Sequence, residues 1–268
     1  MKNKDRYEEN NDAGLGALMG VLTACGDKAT TETKLHAIMD NPAPRTMPVA
    51  LFGEVPAELV AELNIAEGIP SSVSVVLVEK DGQQFLFDAG NGNDDSRMIP
   101  ALQELGFGAD DIDAVFITHL HGDHIGGLVK EGKPVFAQAK LYIPAVELEA
   151  WTKTPENTPQ NVQAMLTAYG ERIVKFALQD KLPGEIEPIA AYGHTPGHTV
   201  YRTGDKLIVG DIMHGVALQM GYPEFCARFD MDKEQAIASR KAIVELAKKQ
   251  GWTMYGMHFP TTEGISVK

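Results

Sequence analysis

The chain has 268 residues, 44% of them hydrophobic and 23% charged, an ordinary globular composition for one large domain or two small ones. With 37 Asp and Glu against 24 Lys and Arg, its net charge of −13 disfavours nucleic-acid backbones and anionic membrane surfaces as partners. Two cysteines, Cys25 and Cys226, exclude a disulfide framework, and no apolar run beyond the N-terminal segment reaches the roughly 18 residues of a membrane span.

Residues 13–24, AGLGALMGVLTA, are uncharged and apolar, about the length of the apolar region of a secretory signal. LTAC, ending at Cys25, resembles the lipobox of bacterial lipoproteins. The expectation is a lipoprotein signal over residues 1–25, export with lipid anchoring to a bacterial membrane through Cys25, and one domain over 26–268. Asp5, Glu8, Glu9 and Asp12 favour the alternative, a cytoplasmic chain, because leading segments of signals are normally net positive.

KLHAIM reads as a strand before the proline-bound loop NPAPRTMP. SVSVVLVE and QQFLFDAG are β-rich runs joined through Asp81-Gly82, a hairpin signal. Met98, Ala101, Leu102 and Leu105 recur at helical spacing, with Gly106 placed to end the helix. DAVFI is a short apolar run, typical of a strand buried on both faces. AKLYIP is another strand, followed by a helix through Trp151 and a second helix marked by Val162, Met165, Leu166 and Tyr169. EIEPIAAY, TVYRT and KLIVGD alternate with turns. Asp232 with Gln235 reads as a capping box opening a helix that turns Ala236, Ile243, Leu246 and Ala247 inward and stops at Gly251, before a last strand, TMYGMHF. Interleaved strands and helices indicate a single α/β domain.

Chemistry concentrates in THLHGDHIGGL, residues 118–128, which holds three of the chain's 8 histidines. His119 and His121 are two apart and cannot share a helix face, so they suit a loop leaving a strand end, where His119, His121, Asp123 and His124 can share one space. Imidazole with carboxylate is the donor set of Zn²⁺ and related metals. His194 and His198 in YGHTPGHT, Asp211 and His214 in VGDIMH, and His258 in YGMHFP each follow a predicted strand end, where the loops of an α/β protein converge.

In this order THLHGDH, GHTPGH, the GD after a strand, a late histidine and the early FDAG (87–90) resemble the motifs of the metallo-β-lactamase-fold hydrolase superfamily, over roughly residues 70–265. The resemblance implies an αββα four-layer sandwich with its site at one edge of two sheets. It implies that His119, His121 and His194 bind one metal, that Asp123, His124 and His258 bind a second, and that Asp211 bridges them. Asp123 and Asp211 thereby become the catalytic carboxylates, Asp88 holds a ligand histidine in its tautomer, and His198 belongs to the motif in a structural role. Two divalent ions are expected, Zn²⁺ by default with Fe or Mn also accepted, sharing a hydroxide whose parent water ionises toward pH 7.

Asp211 stands where many β-lactam-cleaving members place cysteine or another residue, and GHTPGHT, GD, FDMD and HFP resemble the methyl-parathion-hydrolase and lactonase-like branch. The implied substrate is a small, weakly charged ester, lactone or organophosphotriester. Trp151, where that branch has a pocket tryptophan, and Tyr222, Phe225 and Phe229 are candidates for apolar walls. His214 faces either the pocket or its surroundings, His36 is incidental, and Cys226 reads as a small buried hydrophobe. A glyoxalase II-like thioesterase shares the ligand set but calls for a basic anchor. A non-hydrolytic di-iron redox protein would put a carboxylate where His121 stands and carry a flavin domain. The expected partner is a small molecule and no nucleic acid, and a membrane tether through Cys25 or a homodimer is compatible with the sequence.

Overall fold

The computed structural model describes residues 33–267, so Cys25 and the expected signal segment lie outside the described residues. Two sheets carry the domain. The first has six strands in the order Lys34–Met39, Ser74–Lys80, Gln83–Phe87, Ala114–Phe116, Lys140–Pro144 and Ile173–Phe176. Its first three strands pair antiparallel and the remaining pairings are parallel. The second has five strands in the order Glu187–Ala190, Thr199–Thr203, Lys206–Gly210, Thr253–Gly256 and Ile265–Ser266.

Side-chain alternation explains the stacking, because successive residues of a strand point to opposite faces. Val76, Val78, Phe85, Phe87, Ala114 and Phe116 face Tyr201 and Ile208 of the second sheet, forming the middle of the sandwich. Their neighbours Val75, Leu77, Leu86 and Val115 face the other way, onto Met98 and Leu102 of helix Met98–Glu104 and Val162 and Met165 of helix Gln160–Tyr169. Outside the second sheet, Val200, Leu207, Val209 and Met254 pack on Ile243 and Ala247 of helix Lys233–Gln250. The result is the four-layer αββα sandwich. At its centre Phe116 stacks on Phe87 (5.2 Å) and Tyr142 (4.9 Å), and removing its ring would cost about 3–5 kcal/mol.

Several local expectations shift. Leu105 follows the helix end and is 38% exposed rather than inward, and Leu246 is only half-buried. Asp232 caps its helix by accepting from Gln235 N at 3.0 Å, but its own N–H donates to Gly193 O instead of completing the capping box. The strand expected over TMYGMHF ends at Gly256, leaving His258 in the turn beyond it, and a short further strand, Ile265–Ser266, follows. Tyr222 and Phe225 pack with Phe52, Ile69 and Leu218 in a separate small core, away from the expected pocket wall. Cys226 is buried, as a small apolar residue would be. Among the described residues, no helix is long and apolar enough to cross a membrane.

Candidate metal centre

Five strands deliver polar residues to one edge of the sandwich. Asp88 follows Gln83–Phe87, and the His119–His124 loop follows Ala114–Phe116. His194 follows Glu187–Ala190, Asp211 follows Lys206–Gly210, and His258 follows Thr253–Gly256. Seven of the chain's 8 histidines gather here; the eighth, His36, pairs with Glu79 on the first strand pair.

His119 Nε2, His121 Nδ1 and His194 Nε2 form a triangle with edges of 3.0, 2.9 and 3.1 Å. A tetrahedral ion with metal–nitrogen bonds near 2.0–2.1 Å would hold such atoms about 3.3 Å apart, so small outward shifts fit the triangle to one ion. Burial, and then the charges of His124 and His194, hold His119 well below the usual imidazole range. Burial also takes His121 down to about 4. These rings are therefore neutral near pH 7, the form that ligates a metal.

The second group is Asp123, His124 and His258, with His258 Nε2 3.4 Å from Asp123 Oδ2 and His124 Nε2 3.8 Å from Asp123 Oδ1. Burial opposes a charge on His124, yet Asp211, Asp88 and Asp123 raise it well above the ordinary value. Against the same burial, Asp211 and Asp123 push His258 up to about 10. Asp123 and Asp211 move down from the carboxylate range, burial being outweighed in both by His124 and His258. With no ion bound, protons on this second group balance its carboxylates. Metal binding would release them.

Asp211 joins the groups. Its Oδ2 lies 3.8 Å from His119 Nε2 and 3.4 Å from His194 Nε2 on one side, and 3.2 Å from His124 Nε2 and 3.1 Å from His258 Nε2 on the other. Asp211 Oδ1 and His124 Nε2 are buried without a hydrogen-bond partner. A buried polar atom left unpaired costs about 1–3 kcal/mol, and a cation at this point would satisfy both.

The surrounding groups set orientation. Asp88, in a backbone conformation with φ of +58°, accepts from Thr118 N (2.8 Å), Thr118 Oγ1 (2.7 Å) and His124 Nδ1 (2.7 Å). His258 Nδ1 donates to Ser72 O at 2.7 Å. His198 Nδ1 donates to Ala191 O (3.1 Å) while its Nε2 accepts the Asp211 N–H (2.9 Å), so both nitrogens are committed and the ring positions Asp211 rather than a metal. Gly210 has φ of +52°, and a Cβ there would sit 2.5 Å from His198 Nε2, so only glycine fits both backbone and ring.

Four residues outside the expected set complete the centre. His194 Nδ1 donates to Asp230 Oδ1 at 2.9 Å, and Asp230 Oδ2 accepts from the fully buried Arg240 at 3.2 Å. Glu147 is buried beneath the loops. His214, left open by the sequence, is buried with Nε2 3.2 Å from Asp211 Oδ2 and its ring stacked on His258 (5.0 Å, 22°). His214 stands three residues from Asp211 in VGDIMH, whereas Asp230, Arg240 and Glu147 lie outside the histidine-bearing motifs, so only the fold reveals them. Trp151 stands edge-on to His121 at 5.5 Å beside a mainly apolar cavity of about 250 Å³ lined by Ala150, Pro159, Pro196 and Met231 together with Lys153, Thr154 and Asn157. Phe229, 39% exposed, lies 5.7 Å from His214.

Residues 68–249 match the model of the metallo-beta-lactamase superfamily. The fold is similar to that of AidC, described as a dizinc quorum-quenching lactonase (TM-score 0.76, 24% identity, 86% of this chain and 89% of that one). It is likewise similar to the hydrolase AbOPH (TM-score 0.74, 25% identity, again 86% and 89%). Ribonuclease Z of Mycobacterium marinum is 31% identical over 172 residues, 62% of this chain and 56% of that one. The chain spans only 21% of the length of two other curated relatives, an anti-Pycsar protein of Saccharibacillus brassicae and a ribonuclease Z of Salinibacter ruber. The chain belongs to the metallo-beta-lactamase superfamily, a family of metal-dependent hydrolases.

Proposed function

We propose that the protein is a dinuclear metal-dependent hydrolase of small, weakly charged ester-like molecules: lactones, aryl esters or organophosphotriesters. The observation that carries this reading is the position of Asp211 Oδ2, within 3.8 Å of nitrogens from both histidine groups. His119, His121 and His194 would hold one ion, and Asp123, His124 and His258 the other, with Asp211 shared. The donor set suits Zn²⁺ and also Fe or Mn. Bound there, two ions supply Lewis acidity and a water acidified toward pH 7.

The chain's own residues supply the rest. Asp88, Asp230 and the Ser72 carbonyl each fix the far nitrogen of one ligand imidazole, leaving the near nitrogen free to ligate. His198 holds the backbone of Asp211. Trp151, Met231 and Phe229 offer apolar surface beside the reacting centre, suited to an uncharged substrate body. The descriptions of AidC as a lactonase and AbOPH as a hydrolase are consistent with this substrate class.

The likeness to ribonuclease Z makes RNA the competing substrate, which the net charge of −13 disfavours. The test is a hydrolysis screen on metal-quantified protein with lactone, aryl-ester, phosphotriester, thioester, β-lactam and RNA substrates. Fastest turnover is expected among the first three. Faster turnover of thioesters, β-lactams or RNA would overturn the substrate class.

A further inference from the structure

Glu147 is a buried carboxylate with no role in the reaction proposed above. It lies in the first turn of helix Ala145–Thr152, with no solvent exposure. Burying a carboxylate is costly unless it is hydrogen-bonded, and this one is fully served. Glu147 Oε1 accepts from Leu120 N at 2.9 Å and Trp151 Nε1 at 2.6 Å. Its Oε2 accepts from Thr195 Oγ1 and Gly197 N, both at 2.8 Å. Burial raises its pKa, and all four hydrogen bonds oppose that rise.

The identity of the donors gives the arrangement its meaning. Leu120 stands between His119 and His121, whereas Thr195 follows His194 directly. One carboxylate therefore ties together the two loops whose three imidazole nitrogens form the 2.9–3.1 Å triangle. Its fourth donor is the indole that stands edge-on to His121. The approach is close: a Cβ on Gly197 would collide with the backbone of Glu147, so glycine is required for the second loop to reach the carboxylate. The other histidine pair is held by different groups, His124 by Asp88 and His258 by the Ser72 carbonyl.

We propose that Glu147 is the positioning residue of the first ion subsite, clamping the His119–His121 loop to the His194 loop at the spacing one ion requires and fixing Trp151 as the wall of that subsite. This rests on the dinuclear reading. Removing the clamp should weaken one ion and spare the other, which general destabilisation would not do.

The experiment is a titration of Co²⁺ into the chelated full-length chain, followed by calorimetry and visible absorption. The step lost in His121→Ala identifies the first subsite. Glu147→Gln preserves shape but turns an amide NH₂ toward two donors. The variant should weaken the first-subsite step about ten- to hundredfold and alter its absorption, with the other step unchanged. Trp151→Phe removes one of the four donors without leaving a buried charge unpaired, and should weaken the same step by about two- to tenfold. That variant decides the matter if Glu147→Gln fails to fold. Equal weakening of both steps, or no change in either, would overturn the clamp. Uptake of a single ion by the wild type would instead overturn the dinuclear reading, and the clamp would then be judged by whether Glu147→Gln weakens that ion.

Discussion

His194 Nδ1 donates to Asp230 Oδ1 at 2.9 Å, and the other oxygen of that carboxylate meets Arg240 at 3.2 Å. The His194 imidazole is thus wired to a buried guanidinium on helix Lys233–Gln250, which also donates to Ile212 O beside Asp211. Asp230→Asn keeps the shape but leaves the Arg240 charge without its partner. Breaking such a buried pair costs about 3–5 kcal/mol, and losing an outer partner of a ligand histidine typically costs about ten- to hundredfold in metal affinity. Denaturant unfolding and metal titration of the variant should both show losses of this order. Unchanged metal affinity would remove Asp230 from the centre.

His214→Phe separates the stacked ring from its nitrogen. The ring contact with His258 is retained, while the 3.2 Å contact of Nε2 with Asp211 is lost. A hydrogen bond to a charged group contributes about 1.5–3 kcal/mol, so kcat/KM on the best substrate should fall roughly ten- to hundredfold. Metal content should stay at the wild-type value. Steady-state kinetics with elemental analysis distinguishes the cases, and loss of an ion would make His214 a ligand instead.

The metal-free protein should be most stable near pH 6.5, with stability falling on both sides. His258, raised to about 10, stabilises the fold fully below its unfolded value near 6.5, and this contribution is lost as pH rises through 10. His198, lowered to about 3 by burial and then by His194, and His121, lowered to about 4 chiefly by burial, act on the other side. The unfolded chain takes up protons at these positions first, so stability drains from about pH 6.5 down to about 4 for His121 and about 3 for His198, at about 1.4 kcal/mol per pH unit for each group within its window. Urea unfolding of the chelated protein across pH should trace this crest. A flat profile would contradict the buried, uncharged state of His198.

Much of the fold is legible because alternation in residues 72–87 and the apolar run DAVFI require strands buried on both faces. The centre is legible where its donors crowd one motif, as in His119, His121, Asp123 and His124. Asp230 and Glu147 are not, since Asp230 reaches His194 across 36 positions and Glu147 reaches Leu120, Thr195 and Gly197 across 27 to 50, links that leave no local pattern. Leu105 misleads because helical periodicity continues one residue past the helix end at Glu104, just before the chain turns away at Gly106. Tyr222 and Phe225 mislead because an aromatic near a motif carries no sign of which core it enters.

The central claim is a pair of ions joined by Asp211, and metal stoichiometry tests it most directly. Elemental analysis of protein purified without chelator and supplied with Zn²⁺ should give two ions per chain, and Asp211→Asn should lower metal content and hydrolysis together. A reproducible value of one or fewer in the wild type, or an Asp211→Asn variant that keeps both ions, would contradict it.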